Sequence, residues 1–153
     1  MRLDSLTDPA LIFPGLQCPD AAGLLRLLAQ KIVARGFSKD AEELYRKLWE
    51  REQLGTTAIG SGVAVPHCKL SGLERVVLAV GLLNEGIDFG AEDEEPVRVF
   101  FCIVSPHDSP AAHLQCLAAV SRWVKEAEHV ERILELTEPE AICRLFSDGE
   151  DGG

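Results

Sequence analysis

A chain of 153 residues, 46% hydrophobic and 26% charged, has the composition of one soluble globular domain, long enough to bury roughly 68–70% of its unfolded surface. A net charge of −10 without a basic stripe excludes a nucleic-acid binder, because phosphate binding needs clustered Lys and Arg to release counterions. The five cysteines, Cys18, Cys68, Cys102, Cys116 and Cys143, form no CxxC pair and read as free thiols, buried where they sit in apolar runs.

The N-terminal stretch carries Asp4 and Asp8 and is broken by Pro9 and Pro14. That suits neither an export signal nor a spanning helix, so cytoplasmic residence without membrane insertion is the expectation. The segment from Asp20, a natural N-cap, sets Leu24, Leu25, Leu28 and Ile32 on one helical stripe and closes at Gly36. A second helix is predicted in "SKDAEELYRKLWEREQLG", with Leu44, Leu48 and Arg51 at helical spacing and Gly55 as its stop. Arg51 then lies near a helix C-terminus.

In "GSGVAVPHCK", Gly60 and Gly62 permit unusual φ, and a short strand ends at Pro66 and His67. A proline removes a donor and pushes the preceding residue to extended backbone, so the chain is expected to leave the sheet there, with His67 held at the strand's end. "ERVVLAVGLL" and "VRVFFCIV" are continuously apolar and read as central strands covered on both sides. The acidic loop between them leaves room for a short extra strand near Ile87 to Phe89. Its charges read either as a solvated face or as a steering patch for a basic protein.

Ser109 then fits an N-cap and Pro110 the first position of a helix running to about Ala127, which puts His113 in the first turn and Cys116 on a neighbouring face. A short helix follows around "HVERILEL", and "TEPE", Thr137 to Glu140, reads as a capping box for a closing helix through Phe146. The expected fold is α/β, a mixed sheet covered by helices on both faces. Residues 1–147 form one domain and 148–153 a disordered acidic tail.

His67 is the candidate centre. A neutral imidazole nitrogen can attack phosphorus and later leave again, splitting one transfer into two steps. Such a site needs cations and donors around the developing charge. Arg51 can offer a guanidinium, the helix beginning at Pro110 can offer backbone donors, and His113 can hydrogen-bond the phosphoryl oxygens.

"WEREQLGTTAIGSGVAVPHCK" and "FFCIVSPHDSPAAHLQCLAAVSRWV" resemble the active-site segments of the bacterial phosphotransferase-system (PTS) enzyme IIA domains of the fructose, mannitol and nitrogen-regulatory class. The likeness covers Ala41 to Val124 clearly and the rest loosely. It implies that His67 is the phosphorylated histidine, that His113 is the second active-site histidine and stabilises transfer, and that Arg51 meets the phosphoryl charge. It further implies that the donor is the phosphohistidine of HPr, with no cofactor and no metal. The acceptor implied is a IIB cysteine in sugar-specific members or a protein target in regulatory ones. A chain without fused transporter domains resembles the free-standing nitrogen-regulatory type.

Lys69 matches many regulatory members, but Cys68 stands where the family commonly has a small residue, so crowding or oxidation beside His67 is a further expectation. Three rival readings come from the residues themselves. One is a metal site from His67, Cys68, His113 and Cys116, disfavoured because neighbours in extended chain point to opposite faces. The others are a cysteine hydrolase built on Cys68, and a binding module whose phosphorylation site is dead.

Overall fold

The computed structural model describes the backbone of residues 2–150 and the side chains of residues 2–147. After two short helical turns come β1 (Ile12–Leu16), α1 (Ala21–Ala34), α2 (Ala41–Gln53), β2 (Ala58–Gly60), β3 (Val63–Ala64), β4 (His67–Leu70), β5 (Val77–Ile87), β6 (Val97–Pro106), α3 (Pro110–Val124), α4 (Ala127–Glu135) and α5 (Pro139–Glu150). The sheet is mixed, in the order β1-β5-β6-β3-β2, and β4 pairs with β6 beyond the end of β3. Strand β6 runs antiparallel to β5 and parallel to both β3 and β4.

The two central strands sort their side chains by pleat. Phe100, Cys102 and Val104 of β6, with Val77, Ala79 and Leu83 of β5, meet Leu24, Leu28, Leu44 and Leu48 of α1 and α2. Val99, Phe101 and Ile103, with Leu78, Val80 and Leu82, meet Cys116, Val120 and Trp123 of α3, Ile133 of α4 and Phe146 of α5. Both faces are therefore dry, as their continuous apolar runs require. Asp20 and Asp40 cap α1 and α2, accepting from Gly23 N at 2.8 Å and Glu43 N at 3.1 Å.

Several local expectations are corrected. The chain does not leave the sheet for good at Pro66. It breaks for Val65 and Pro66 and resumes as β4 at His67, because the Pro66 carbonyl still accepts from Ile103 N at 2.9 Å on the strand that β3 was already using. Proline removes the donor and leaves the acceptor. No separate strand forms at 87–89; β5 itself runs on to Ile87 through a register shift. The segment around Pro14 forms β1, an edge strand whose register slips between Phe13 and Leu16, the place where a sheet tolerates proline.

Helix α3 ends at Val124 rather than near Ala127. Ser109 occupies its N-cap position without a side-chain bond. The closing helix begins at Pro139, and Ile142 N donates to Glu138 O, so Glu138 and not Thr137 takes the N-cap place. That helix runs to Glu150, past the expected Phe146; residues 151–153 of the expected acidic tail lie outside the described residues. In the acidic loop, Asp93 accepts from Ser61 N at 2.9 Å and Glu95 N at 3.1 Å. Those backbone donors hold its carboxyl below the usual range, and they pin the loop to the Gly60–Gly62 turn, whose three residues all have positive φ.

Phe101, Trp123 and Phe146 pack edge-on or tilted, with ring centroids 5.0 to 6.1 Å apart, and join β6, α3 and α5. Phe101→Ala is expected to lower unfolding free energy by about 3–5 kcal/mol in urea titrations. A loss below about 1 kcal/mol would mean that the helical layer does not depend on this contact.

Candidate functional site

Strand β4 has β6 on one side and, among the described residues, no strand on the other. His67 stands first on that edge, in register with Ile103, and Cys68 is in register with Val104. Paired residues of parallel strands share a face, so His67 turns toward α3 and Cys68 toward α2. Lys69, opposite Ser105, shares the side of His67. At this edge the C-terminus of α2 and the N-terminus of α3 both reach the histidine.

The His67 ring is held at both nitrogens. Nδ1 lies 2.8 Å from the Val65 carbonyl, which can only accept, so Nδ1 carries the proton and donates it. Nε2 is then a lone pair, and it accepts from Arg51 Nε at 3.2 Å. Arg51 is in the last turn of α2 and is itself steadied by Nη1, which donates to Gly55 O at 2.9 Å. His113 faces His67 with ring centroids 5.3 Å apart and planes tilted by 57°. Its Nδ1 is 2.5 Å from Ser105 Oγ, and it is only 6% exposed.

Electrostatics keep both rings neutral at pH 7. Burial is the first cause that lowers the His67 pKa below 6.5; the Val65 contact opposes it, and the charges of Arg51 and Lys69 add to it. His113 is pushed down to about 4, by burial first and then by facing His67 and Lys69. A neutral His67 with Nε2 unprotonated has the form a nucleophile requires.

Sequence reasoning singled out Arg51, His67 and His113, and the structure brings all three together. It missed the frame behind them. The Glu52 carboxylate accepts from Thr57 N at 2.6 Å and from Thr57 Oγ1 at 2.7 Å, and burial raises its pKa despite those bonds. Thr57 O accepts from Val65 N at 3.0 Å, and Val65 O takes the His67 proton. Neighbouring residues of one helix therefore set both sides of the ring, Arg51 by contact and Glu52 through Thr57 and Val65. A threonine 5% exposed in a polar loop gives no periodic signal that could have marked it.

The expectations attached to Cys68 are corrected. Its side chain packs into the cluster under α1 and α2, away from His67, so it does not crowd the ring. Burial pushes its thiol up to about 12, and it is 7% exposed, which leaves neither the thiolate nor the access that oxidation or hydrolase chemistry needs. The quartet of the metal reading is divided by the sheet, with Cys68 on one face and Cys116 within the other core. Among the described residues no group of three His, Cys, Asp or Glu is placed to hold a metal, and no helix is long and apolar enough to cross a membrane.

Comparison with known proteins shows the family and the fold. The family described as "Phosphoenolpyruvate-dependent sugar phosphotransferase system, EIIA 2" matches residues 5–149. A nitrogen regulatory protein of Bradyrhizobium diazoefficiens is 32% identical over 147 residues, covering 96% of this chain and 95% of that one. The fructose-specific EIIA component of Haloferax volcanii is 32% identical over 149 residues, covering 94% and 97%. In structure, the nitrogen regulatory protein IIA-Ntr of Neisseria meningitidis has a TM-score of 0.87 at 22% identity, over 94% of this chain and 98% of that one. The match from residue 5 to 149, joined to the full-length likeness of its relatives, means that this chain belongs to the type 2 EIIA family of the phosphoenolpyruvate-dependent sugar phosphotransferase system.

Proposed function

We propose that the protein is a cytoplasmic phosphohistidine carrier of the nitrogen-regulatory kind, which takes a phosphoryl group from an HPr-type carrier onto His67 Nε2 and signals to protein targets. The observation that carries this reading is the tautomer of His67: the proton is committed to Val65 O, and the lone pair faces a guanidinium. As phosphorus approaches, Arg51 moves its Nε donor from the ring to the phosphoryl oxygens, with Nη1 still anchored on Gly55 O. The N–P bond to His67 forms as the N–P bond of the donor breaks, and the electron pair returns to the donor's ring. Ser109 makes no side-chain cap on α3, so no hydroxyl competes for the first-turn N–H groups, which favour an anion.

A carrier must also be touched by proteins. Among the described residues the exposed large hydrophobic side chains are Leu54 at 85%, Ile59 at 49% and Leu114 at 65%. Leu54 caps the helix of Arg51, Leu114 adjoins His113, and Ile59 lies on the β2–β3 hairpin. Apolar side chains kept in water around a polar centre fit a transient protein interface. The likeness to a fructose-specific EIIA component favours a second reading, in which the same His67 passes its phosphoryl group to a IIB cysteine. Transfer to isolated IIB domains, against capture of a target that depends on the phosphorylation state, distinguishes the two.

Incubation with phosphoenolpyruvate, enzyme I and HPr is expected to add one acid-labile phosphoryl group to the native chain and none to His67→Ala, read by intact mass. Full labelling of the variant would move the acceptor elsewhere, and no labelling of the native chain by active donors would leave a binding module. Because the acceptor is the neutral ring and burial lowers its pKa below the usual histidine value, single-turnover rates are expected to fall as the solution is acidified, with their inflection below pH 6.5. An inflection above 6.5 contradicts that. Leu114→Glu is expected to raise the half-saturating HPr concentration about tenfold or more, the loss of one interface anchor, with the maximal rate little changed. An unaltered concentration dependence would take Leu114 out of the docking surface.

A further inference from the structure

Ser105 is wholly buried near the end of β6. Among the described residues the one partner of its Oγ is His113 Nδ1, at 2.5 Å. A hydroxyl has a single proton and two lone pairs, whereas an imidazole nitrogen is either an N–H or a lone pair. Two arrangements fit the distance. If Nδ1 holds the proton, it donates to Oγ and strands the hydroxyl's own proton in the interior with nothing to accept it. If Nδ1 is the lone pair, the hydroxyl donates to it and only oxygen lone pairs stay unused. A buried donor without an acceptor is the costlier defect.

The second arrangement puts the proton of a neutral His113 on Nε2. That nitrogen has no protein partner among the described residues and is not sealed in the interior. We propose that Ser105 is a positioning residue that holds the His113 proton on Nε2, so that the two facing imidazoles present opposite chemistry. His67 offers a lone pair on Nε2, and His113 offers an N–H donor.

For its purpose this inference rests on the phosphocarrier function proposed above; for its geometry it does not. As the N–P bond to His67 forms and the donor's N–P bond breaks, the charge on the phosphoryl oxygens meets His113 Nε2–H beside the Arg51 guanidinium. No proton moves to or from His113. The same placement leaves His113 without an accessible lone pair: its only unprotonated nitrogen is turned into the protein, against Ser105. One of two adjacent histidines is thereby made the acceptor, and the other is confined to donating a hydrogen bond.

Ring nitrogen-15 chemical shifts of His113, read on the unphosphorylated protein at neutral pH, identify which nitrogen carries the proton. The native chain is expected to show Nε2–H alone. Ser105→Ala is expected to lose that single tautomer and to slow single-turnover transfer from phosphorylated HPr about three- to tenfold, the worth of one hydrogen bond. Ser105→Thr, which keeps the hydroxyl, should restore both. A native His113 protonated on Nδ1, or a Ser105→Ala protein with unchanged shifts and rate, overturns the proposal. Because the spectra need no phosphoryl donor, a native chain that accepts no phosphoryl group counts against the carrier function while the spectra still decide the part played by Ser105.

Discussion

The contact between His67 Nδ1 and the Val65 carbonyl, 2.8 Å long, determines what the rest of this structure can do. It decides which nitrogen of the imidazole is free, and it decides where that nitrogen points. A carbonyl two residues back in the chain is an inexpensive partner, but it works only if the backbone between is stiff. Pro66 supplies that stiffness by fixing its own φ and pushing Val65 to extended geometry. Ile103 N on the Pro66 carbonyl and Thr57 O on the Val65 amide then tie the segment to the sheet on one side and to the loop after α2 on the other. The proline therefore acts as the mount of the histidine.

Two core layers meet around that mount. Helices α1 and α2 cover one face of the sheet, and α3, α4 and α5 cover the other, so any group that must feel both layers has to sit where the sheet stops. The open side of β4 is such a place. There the last turn of one layer brings Arg51 and the first turn of the other brings His113, each polarised in the useful sense for its own role. His113 stands at the positive end of α3, where an anion is favoured. Arg51 stands at the negative end of α2, where a guanidinium is favoured and a backbone carbonyl is at hand to hold it.

Much of this was legible in the residues, and the exceptions have physical reasons. Periodicity with the Asp20 cap located α1, and periodicity with the Gly55 stop located α2, because such end signals act locally and the leucine stripes face a core. The two central strands were legible because both of their faces are apolar. Strand β1 was not, since Pro14 counts against a ladder unless the strand is known to lie at an edge, and an edge is a property of the assembled sheet. His67 was singled out, but its strand was not, because a proline in the chain shows the donor it lacks and hides the acceptor it keeps. Ser105 and the Glu52–Thr57 pair were missed for another reason: a lone serine in an apolar run, and a glutamate beside an arginine, acquire meaning only from a partner that tertiary structure brings within 3 Å.

In the proposed carrier function, the charges at the site serve opposite ends before and after a phosphoryl group arrives. In the free protein, Arg51 and Lys69 help burial to hold His67 neutral, because a third positive charge at a half-buried position would be repelled by the two already present. A phosphoryl group on Nε2 brings close to two negative charges, comparable to the about −1.5 to −2 that phosphorylation adds to hydroxyl side chains. In that proposed state the same cations would be counterions, and the neutral ring of His113 would be a donor to the new oxygens. A site that relied on a carboxylate to raise the reactivity of His67 would have to repel the product it had just formed. Here the activating influence is removal of charge rather than addition of it, so one arrangement of Arg51, Lys69 and two neutral imidazoles suits both the empty and the loaded state without a rearranged backbone.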